Sequence, residues 1–473
     1  MDHGKLERQL KKDFTRDVKR IQRMIKQPSI SGEGRGIREC AALVGTYLGD
    51  AGVATPEIVE TEGHPVVYGE LDAGAKHTLL VYMMYDTQPF AGESWTHPPL
   101  DAVLGPFDGF PMCVVGRGAI NTKGPMVSFL NALRAAKEIG ETLPVNLRFV
   151  CEGEEELGSP HLPQFFKENL PRLRGVEAVL YPSAMQDRAG GVKLRLGNKG
   201  IVYMELVCSG SRWGRGPVAH DIHSANQAWV DSPVWRLVKA LGTMVSDDGN
   251  TVKVDGLRDD ILGPTPEEHR IVRDLARTFN PDAFRTENKV DHFVHDLAGP
   301  DLLERYLYST TLNIDGIWGG HTGPGTKTVL PSEARARIDV RLVPNQDPEK
   351  VIAAIRRHLD KKGFPDVEVE VHDRYPWSQT PQDAPIVRAT TRAYEAMGHA
   401  PEVWIRVGGS LPMYVFTGDP LRLPAISAGL GYGAHAHAPD EYIVIEGTGR
   451  IAGLVEQESS YLRILDAYAQ VAG

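Results

Sequence analysis

Apolar residues recur at steps of three and four positions near the start of the chain, and they predict a first helix. The stripe runs from Leu6 to Ile25 and lies on one helix face. Further helices are predicted over residues 36–51, where Gly52 follows, and over residues 124–139. Between them lie short apolar runs that predict strands: PEIVE, VVYGEL, HTLLVYMM and NLRFVCEGE. This alternation favours an α/β fold in which helices cover both faces of a mixed sheet.

The pattern changes near residue 200, where GIVYMELVCSG alternates like a half-exposed strand. A helix near residues 227–245, the strands STTLNIDGI and ARARIDVRLV, a helix at about 348–361 and the strand DVEVEVHD follow. The resulting order, strand–helix–strand–strand–helix–strand, is that of a ferredoxin-like α+β domain. Helix–strand alternation resumes at about residue 383, so we expect this domain to be inserted into the first one.

These changes predict three segments: residues 1–199, residues 200–377 and residues 378–473. The first and third belong to one domain, and the second is the insertion. Within it, residues 247–305 are polar, contain Asp, Pro and Gly, and predict a further insertion with short helices. The sequence does not reveal the role of this stretch.

Composition and charge argue against nucleic acids and membranes as binding partners. With 52 basic and 62 acidic residues, the 473-residue chain has a formal charge of −10 and no long basic run, so nucleic-acid binding is not expected. No apolar run approaches the ~18 residues of a membrane span, and the charged start MDHGKLERQLKKDF is not a signal peptide. The four cysteines form no CxxC pair, which favours free thiols in a reducing compartment. We therefore expect a cytoplasmic protein that acts on a small molecule, away from membranes.

Four loops carry residues that can perform chemistry: YMMYDTQP, GRGAINTKG, EGEEELGS and GAHAHAPDEY. Taken singly, the glycine-rich loop is also explained as the tight start of a helix, because it lacks the phosphate-binding spacings. The histidine-bearing loop is also explained as a surface stretch. The acidic loop follows the apolar run NLRFV, and its carboxylates repel one another unless a cation or a shared proton relieves them. It therefore indicates a metal or acid–base chemistry.

Together with the segments DIHSANQ, KTVLPSEARARIDVRLVPNQ and RVGGSLP, these loops resemble the co-catalytic di-zinc amidohydrolases and metallopeptidases. That family includes aminoacylases, carnosine-type dipeptidases, glutamate carboxypeptidases and succinyl-diaminopimelate desuccinylases. The resemblance covers nearly the whole chain and is greatest to the cytosolic dipeptidase branch. It implies a zinc-exopeptidase-like catalytic domain over residues 1–199 and 378–473, and a lid and dimerisation domain over residues 200–377.

The resemblance also shows where metal ligands are missing. In that family a strand ends in His-x-Asp; the histidine binds the first zinc and the aspartate holds the histidine from behind. Asp86 matches this aspartate, but Met84 stands at the histidine position. Asn121 stands where the family has an aspartate that bridges both zinc ions, and Ser183 stands where it has a further aspartate ligand. The first metal position has therefore lost all three ligands.

The second metal position keeps two matches, Glu156 and His437. A thioether and a neutral amide are poor zinc ligands, so Asn121 would be a weak third. His435 and Asp187 are alternative ligands that would complete a site for one ion. We therefore expect no metal, or a single divalent ion such as zinc, rather than a pair.

The resemblance assigns the catalytic and substrate-binding roles. Glu155 matches the general base, and His223 matches a lid histidine that in the family reaches across a dimer to polarise the scissile carbonyl. Arg341 and Arg406 match positions near the substrate, where an arginine fork suits a carboxylate. The other matched pocket residues are Thr328, Gly409 and Ser410. The implied partners are a small carboxylate-bearing substrate and a second copy of the chain, bound through the lid domain.

The expected function is hydrolysis of an amide-like C–N bond in a dipeptide, an acyl amino acid or a similar molecule, with Glu155 as general base. General base catalysis contributes only about 10²–10⁴-fold, which suits an activated substrate better than a plain amide. Two alternatives use the same residues: a substrate-binding protein without turnover, and a non-hydrolytic acid–base enzyme such as an isomerase, a lyase or an acyl transferase. The presence of Glu155, which binding alone does not need, favours an enzyme.

Overall fold

The computed structural model describes residues 1–472 and, within that range, every side chain except that of residue 287. The chain forms two compact units, and each has its own hydrophobic core. Unit 1 comprises residues 1–196, residues 379–404 and the chain from residue 415 on, and unit 2 comprises residues 197–378 and 405–414.

Helices and strands are numbered in chain order. The helices are α1 (His3–Lys26), α2 (Ile37–Ala51), α3 (Gly124–Glu138), α4 (Leu162–Asn169), α5 (Gly210–Trp213), α6 (Pro233–Met244), α7 (Pro266–Thr278), α8 (Pro281–Asn288), α9 (Gly299–Tyr308), α10 (Pro348–Lys361), α11 (Pro385–Ala396), α12 (Tyr414–Thr417) and α13 (Leu454–Val471). The strands are β1 (Glu57–Val59), β2 (Val66–Leu71), β3 (Thr78–Met84), β4 (Val103–Phe107), β5 (Phe110–Val115), β6 (Asn146–Glu152), β7 (Val176–Pro182), β8 (Val192–Arg195), β9 (Gly197–Asn198), β10 (Gly200–Ser209), β11 (Ile222–His223), β12 (Thr311–Gly319), β13 (Val329–Leu330), β14 (Glu333–Leu342), β15 (Glu368–Tyr375), β16 (Ser378–Gln379), β17 (Pro401–Trp404), β18 (Ala425–Ala428), β19 (Gly433–Ala434) and β20 (Tyr442–Glu446).

Helix α1 forms as its sequence pattern predicts. The side chain of Asp2 caps its first turn by accepting the backbone N–H of Lys5 at 3.0 Å, and the apolar stripe from Leu6 to Ile25 is buried. The helix ends two residues before Pro28, which disfavours helical backbone in the residue before it. The predicted bounds of α1, α2, α3 and α10 agree with the structure to within two residues.

The main sheet of unit 1 brings the strand ends with the candidate residues to one edge. Its order is β1-β2-β6-β3-β7-β18; β6, β3, β7 and β18 are mutually parallel, and β1 and β2 pair antiparallel. The predicted mixed α/β fold is therefore confirmed. Strand β3 is buried along nearly its whole length, as a central parallel strand should be. Because parallel strands end at the same edge, the segments after Met84, Glu152 and Pro182 lie close together.

A smaller sheet in unit 1, with the order β19-β20-β5-β4, positions two further loops. The end of β5 pairs with the start of β20, where Tyr442 lies opposite Val115. The glycine-rich segment after β5 and the histidine-bearing segment before β20 are therefore neighbours, although more than 300 residues separate Asn121 from His437.

Unit 2 contains an antiparallel sheet with the order β12-β14-β10-β15. The strand and helix sequence β10, α6, β12, β14, α10 and β15 is the predicted ferredoxin-like order. The polar stretch of residues 247–305 contains α7, α8 and most of α9, in agreement with the short helices predicted there. Its role, and the role of unit 2 as a lid, stay predictions.

Helix α6 begins later than predicted. The sequence pattern placed its start near residue 227, but residues 224–228 form a 3₁₀ turn and α6 starts at Pro233. The physical reason is local: Ser232 caps the helix through the Trp235 N–H, and proline is well tolerated at the first helical position because its missing N–H needs no partner there.

The cysteines and the helices can be compared with the predicted reducing compartment and the predicted lack of a membrane span. All four cysteines are buried free thiols. Burial raises the pKa of the Cys40 and Cys151 thiols, which keeps them protonated. Among residues 1–472, no helix is both long and apolar enough to cross a membrane.

Candidate active site

Asp86 anchors the acidic loop that follows β6. Its carboxylate is fully buried and accepts the backbone N–H groups of Glu155 at 3.2 Å and Glu156 at 3.1 Å. Burial, with a smaller effect of the Glu156 charge, raises the pKa of Asp86 to about 7. In the family that the chain resembles, this aspartate holds a metal-binding histidine; here the position of that histidine is occupied by Met84, which is also buried. Asp86 instead fixes the backbone on which two candidate catalytic residues lie.

Asn121, Glu156 and His437 form a closed triangle, which we call the amide trio. The Asn121 Nδ2 atom lies 2.8 Å from Glu156 Oε1 and 2.9 Å from His437 Nε2. The third side, from His437 Nε2 to Glu156 Oε1, is 3.1 Å. The hydrogen bond to Glu156 raises the pKa of His437. The three residues predicted for the remaining metal position are thus brought together.

The Glu155 carboxyl lies beside the amide trio in a half-buried position. Among the residues that the structure describes, no side chain donates a hydrogen bond to it, although its backbone is fixed by Asp86. Burial raises the pKa of Glu155 well above its usual range, and the charges of Glu156, Asp86 and Glu152 act in the same direction. The raised pKa makes the Glu155 carboxylate a stronger base, which suits exchange of a proton with a bound molecule.

Beneath the acidic loop lies a buried polar network that the sequence analysis missed. Tyr82 donates a hydrogen bond to Glu152, and Ser159 donates one to the same oxygen at 2.8 Å. Burial raises the pKa of Glu152 to about 8. The ring of Tyr181 packs against Tyr82 at 5.0 Å. Glu152 was one acid in a run of acids, so its distinct role had no separate signal in the sequence.

A second missed feature is the buried pair of Arg117 and Glu441, which anchors the glycine-rich segment. The guanidinium of Arg117 lies 3.1 Å from Glu441, and both side chains are 1% exposed. Glu441 accepts three backbone N–H groups at 2.9–3.0 Å, from Gly118, Ile120 and Asn121. The segment that carries Asn121 is therefore held from behind by a carboxylate. The only hint in the sequence was an acid in the PDEY run.

One predicted position, Ser183, and the two alternative ligands, Asp187 and His435, make contacts outside the amide trio. The Ser183 hydroxyl donates to the Tyr181 carbonyl at 3.3 Å. Asp187 caps its own turn by accepting the N–H groups of Ala189 and Gly191, each at 2.9 Å. His435 is exposed and packs edge-on against Tyr442. None of these contacts completes a metal site with Glu156 and His437 in the described part of the chain.

In unit 2 the structure pairs two of the predicted pocket residues. Strands β11 and β13 lie side by side, with His223 opposite Val329. His223 Nδ1 accepts the Ala225 N–H at 3.1 Å, and His223 Nε2 lies 3.2 Å from the Thr328 hydroxyl. Because Nδ1 accepts, the ring proton is on Nε2 and points to Thr328.

Arg341 and Ser410 form a second pair in unit 2. Arg341 donates to Asp339 at 2.7 Å and to the Ser410 hydroxyl at 2.9 Å, and its side chain is 29% exposed. Gly409 precedes Ser410, and a side chain added there would meet open space. The exposed part of the Arg341 guanidinium is a suitable donor for a carboxylate.

Two buried cations accompany Arg341 in unit 2. Arg406 is fully buried over the Tyr308 ring at 4.3 Å and donates to the Leu307 carbonyl at 3.1 Å. These contacts of Arg406 are internal to unit 2, so the substrate role of Arg406 stays a prediction. Lys199, which the sequence analysis missed, is also buried; burial, with the charges of Arg406 and Arg341, lowers its pKa to about 7. Both arginines also have an acidic partner, since Arg341 pairs with Asp339 at 2.7 Å and Arg406 lies 3.7 Å from Glu268.

Known proteins share this fold. The yeast Saccharomyces cerevisiae "Cys-Gly metallodipeptidase DUG1" is 28% identical over 400 residues, which cover 82% of this chain and 79% of that protein. The human "Beta-Ala-His dipeptidase" is 28% identical over 363 residues, covering 74% and 68%. The crystal structure of a metallo-carboxypeptidase, Sso-CP2 from Sulfolobus solfataricus, matches with a TM-score of 0.82 and 30% identity over 96% of this chain and 98% of that one.

The mixed α/β fold and these similarities define a hydrolase of the peptidase class. The model of peptidase family M20/M25/M40 matches residues 80–457. The chain belongs to this family, and it is a hydrolase by that membership. Its metal dependence is a separate matter.

The residues present do not fit a pair of zinc ions. At the three positions predicted for ligands of the first ion stand a thioether, an amide and a hydroxyl: Met84, Asn121 and Ser183. The amide nitrogen of Asn121 faces Glu156 and His437, and an amide nitrogen has no lone pair to offer a metal ion.

Proposed function

We propose that the protein hydrolyses an amide-like C–N bond in a small carboxylate-bearing substrate, such as a dipeptide or an acyl amino acid, with Glu155 as the general base. One observation carries the proposal. Asp86 holds the backbone of Glu155 at 3.2 Å, while the Glu155 carboxyl has no hydrogen-bond donor among the described side chains. A positioned carboxyl with an open face can accept a proton from an attacking water and return it to the leaving nitrogen.

The proposed catalysis is modest. A general base contributes about 10²–10⁴-fold, so we propose that the preferred substrate has an activated or strained amide. His223, whose Nε2 lies 3.2 Å from the Thr328 hydroxyl, would turn its Nε2 proton from Thr328 to the developing oxyanion. Arg341 would bind the substrate carboxylate through the exposed part of its guanidinium, which is 29% exposed as a side chain.

The test is a turnover assay on a panel of dipeptides and acyl amino acids, with and without a metal chelator. The panel includes Cys-Gly and β-Ala-His, the dipeptides that appear in the names of two relatives. We expect turnover that persists after chelation. Turnover that chelation abolishes and zinc restores would instead support a one-metal hydrolase. Tight ligand binding without turnover would contradict hydrolysis and favour a binding protein, and products other than those of hydrolysis would favour a lyase, an isomerase or an acyl transferase.

We also propose that two copies of the chain associate through unit 2. Strand β12 is at the edge of its sheet, where its outer backbone groups have no strand partner in that sheet. Ile314 and Ile317 on this strand are 50% and 49% exposed, and Trp235 on α6 is 56% exposed. A side chain at Gly319, the end of β12, would lie 3.2 Å from Val234 of α6, so the two exposed surfaces adjoin. An apolar edge strand of this kind suits pairing with its own copy about a two-fold axis.

The dimer prediction is tested by light scattering of purified protein. We expect twice the chain mass for the native chain and the single chain mass for the double substitution Ile314→Lys and Ile317→Lys, because lysine on the edge opposes strand pairing. Leu262→Lys is the matched control, since Leu262 is 57% exposed in unit 2 but lies off this strand. A native monomer with full turnover would contradict both the dimer and a role of His223 in the neighbouring chain's site.

We also propose that the protein is located in the cytoplasm. It is supported by the four buried free thiols. Cell fractionation tests it, and recovery of the native protein from an oxidising compartment would contradict it.

A further inference from the structure

We propose that the side-chain amide of Asn121 takes the place of a cation between Glu156 and His437, so that this chain closes its site by hydrogen bonds instead of by a metal ion. The proposal concerns the amide trio alone. It does not depend on hydrolysis, because its tests measure metal binding and thermal stability.

In the amide trio, the side-chain nitrogen of Asn121 bridges Glu156 and His437. A carboxamide nitrogen has two N–H groups, and Asn121 Nδ2 has two acceptors, Glu156 Oε1 at 2.8 Å and His437 Nε2 at 2.9 Å. One amide thus joins the same two side chains that would otherwise share an ion. His437 Nε2 has a single position for a proton, so it accepts from Asn121 when neutral and donates to Glu156 when protonated.

The charge of the amide trio removes the need for a cation. Glu156 contributes one negative charge, Asn121 none, and His437 none or one positive charge. Their sum is therefore minus one or zero. A carboxylate at position 121 would make the sum minus two with a neutral histidine, and two carboxylates about 3 Å apart strongly favour binding a cation or a proton. The amide replaces that repulsion with a hydrogen bond.

The second oxygen of Glu156 also has an amide partner. This oxygen, Oε2, accepts the Gln88 side-chain N–H at 2.9 Å. The Glu156 side chain is only 4% exposed. Each oxygen of this buried carboxylate therefore accepts from a neutral amide, that of Asn121 or that of Gln88, and an ion would compete with these two donors.

The backbone holds the Asn121 amide in position. The N–H of Asn121 donates to Glu441 Oε1 at 2.9 Å, and Arg117 pairs with the other oxygen at 3.1 Å. Both charged side chains are buried, so this anchor is costly to break. Withdrawal of the Asn121 amide to admit an ion would require movement of an anchored segment.

The decisive experiment is zinc titration of the native chain and of Asn121→Asp after exhaustive chelation and dialysis, by calorimetry and by elemental analysis. We expect the native chain to retain well under one zinc per chain. We expect Asn121→Asp to bind one zinc per chain with an affinity roughly 100-fold higher, because the added carboxylate completes three strong donors. The double variant Asn121→Asp with Glu156→Gln should lose this gain, and the exposed substitution Asn288→Asp should show none.

Thermal unfolding gives the second readout. In chelator, Asn121→Asp should unfold at a lower temperature than the native chain, because the new carboxylate faces Glu156 without a counter-charge. Zinc should restore the midpoint of the variant and leave that of the native chain unchanged.

The proposal is overturned if the native chain binds one zinc tightly and His437→Ala removes it, a result that holds even when Asn121→Asp fails to fold. It is also overturned if a folded Asn121→Asp variant binds no more zinc than the native chain.

Discussion

Replacement of Glu155 by glutamine is expected to lower kcat by about 10²–10⁴-fold and to leave substrate binding within about tenfold of the native value. The substitution keeps the size of the side chain. It also keeps the hydrogen bond from the backbone N–H of residue 155 to Asp86, which is 3.2 Å long. It cannot accept and return the proton of a water molecule. The loss should therefore appear in the transition state and not in the bound ground state. Steady-state kinetics and calorimetric binding of the same substrate provide the two measurements.

Glu154→Gln is the matched control for this prediction. Glu154 is the preceding residue, is also buried, and its carboxylate pairs with His161 at 2.8 Å, away from the amide trio. The control should retain its kcat, provided that its unfolding midpoint shows it to be folded. A Glu155→Gln variant with a native rate would remove Glu155 from the mechanism, and the hydrolysis proposal would lose its general base.

The second large effect is expected from Arg341→Met, which should raise KM about 10–100-fold, since a hydrogen bond to a charged group contributes about 1.5–3 kcal/mol. The kcat should change little, because a substrate carboxylate is bound equally in the ground state and in the transition state. Arg341 is suited to this role because it is held by Asp339 and Ser410 yet remains 29% exposed.

A carboxamide analogue of the substrate separates a binding role from a structural one. The analogue should bind the native chain weakly, because it lacks the carboxylate that Arg341 would bind. For the same reason its KM should change little on Arg341→Met. Arg337→Met is the control: Arg337 lies four residues earlier on the same strand and pairs with Glu205 at 3.0 Å. Equal effects of Arg341→Met on both substrates would contradict carboxylate binding by Arg341.

The sequence predicted much of the fold because helix and strand periodicity is local. The stripe of α1, the buried run of β3 and the strand order of unit 2 all follow from the alternation of apolar and polar positions. The start of α6 was predicted too early, because the 3₁₀ turn of residues 224–228 was included in the helix and the cap at Ser232 before Pro233 was not recognised.

The candidate site could be predicted only in outline. The resemblance predicted that ligands are missing at Met84, Asn121 and Ser183 and that Glu155 matches the general base. It could not predict the contacts these side chains make. In the family the aspartate that Asp86 matches holds a histidine, whereas Asp86 accepts the backbone N–H groups of two glutamates.

The sequence by itself determined the order of elements, the family resemblance and the chemical identity of each side chain at the family's metal positions. Only the tertiary structure decided which of these side chains meet. Asn121 and His437 are 316 residues apart, and Glu441 holds the Asn121 segment from 320 residues away. Such contacts depend on strand pairing across a sheet and on side-chain rotamers at its edge, and neither is encoded in the residues next to each position.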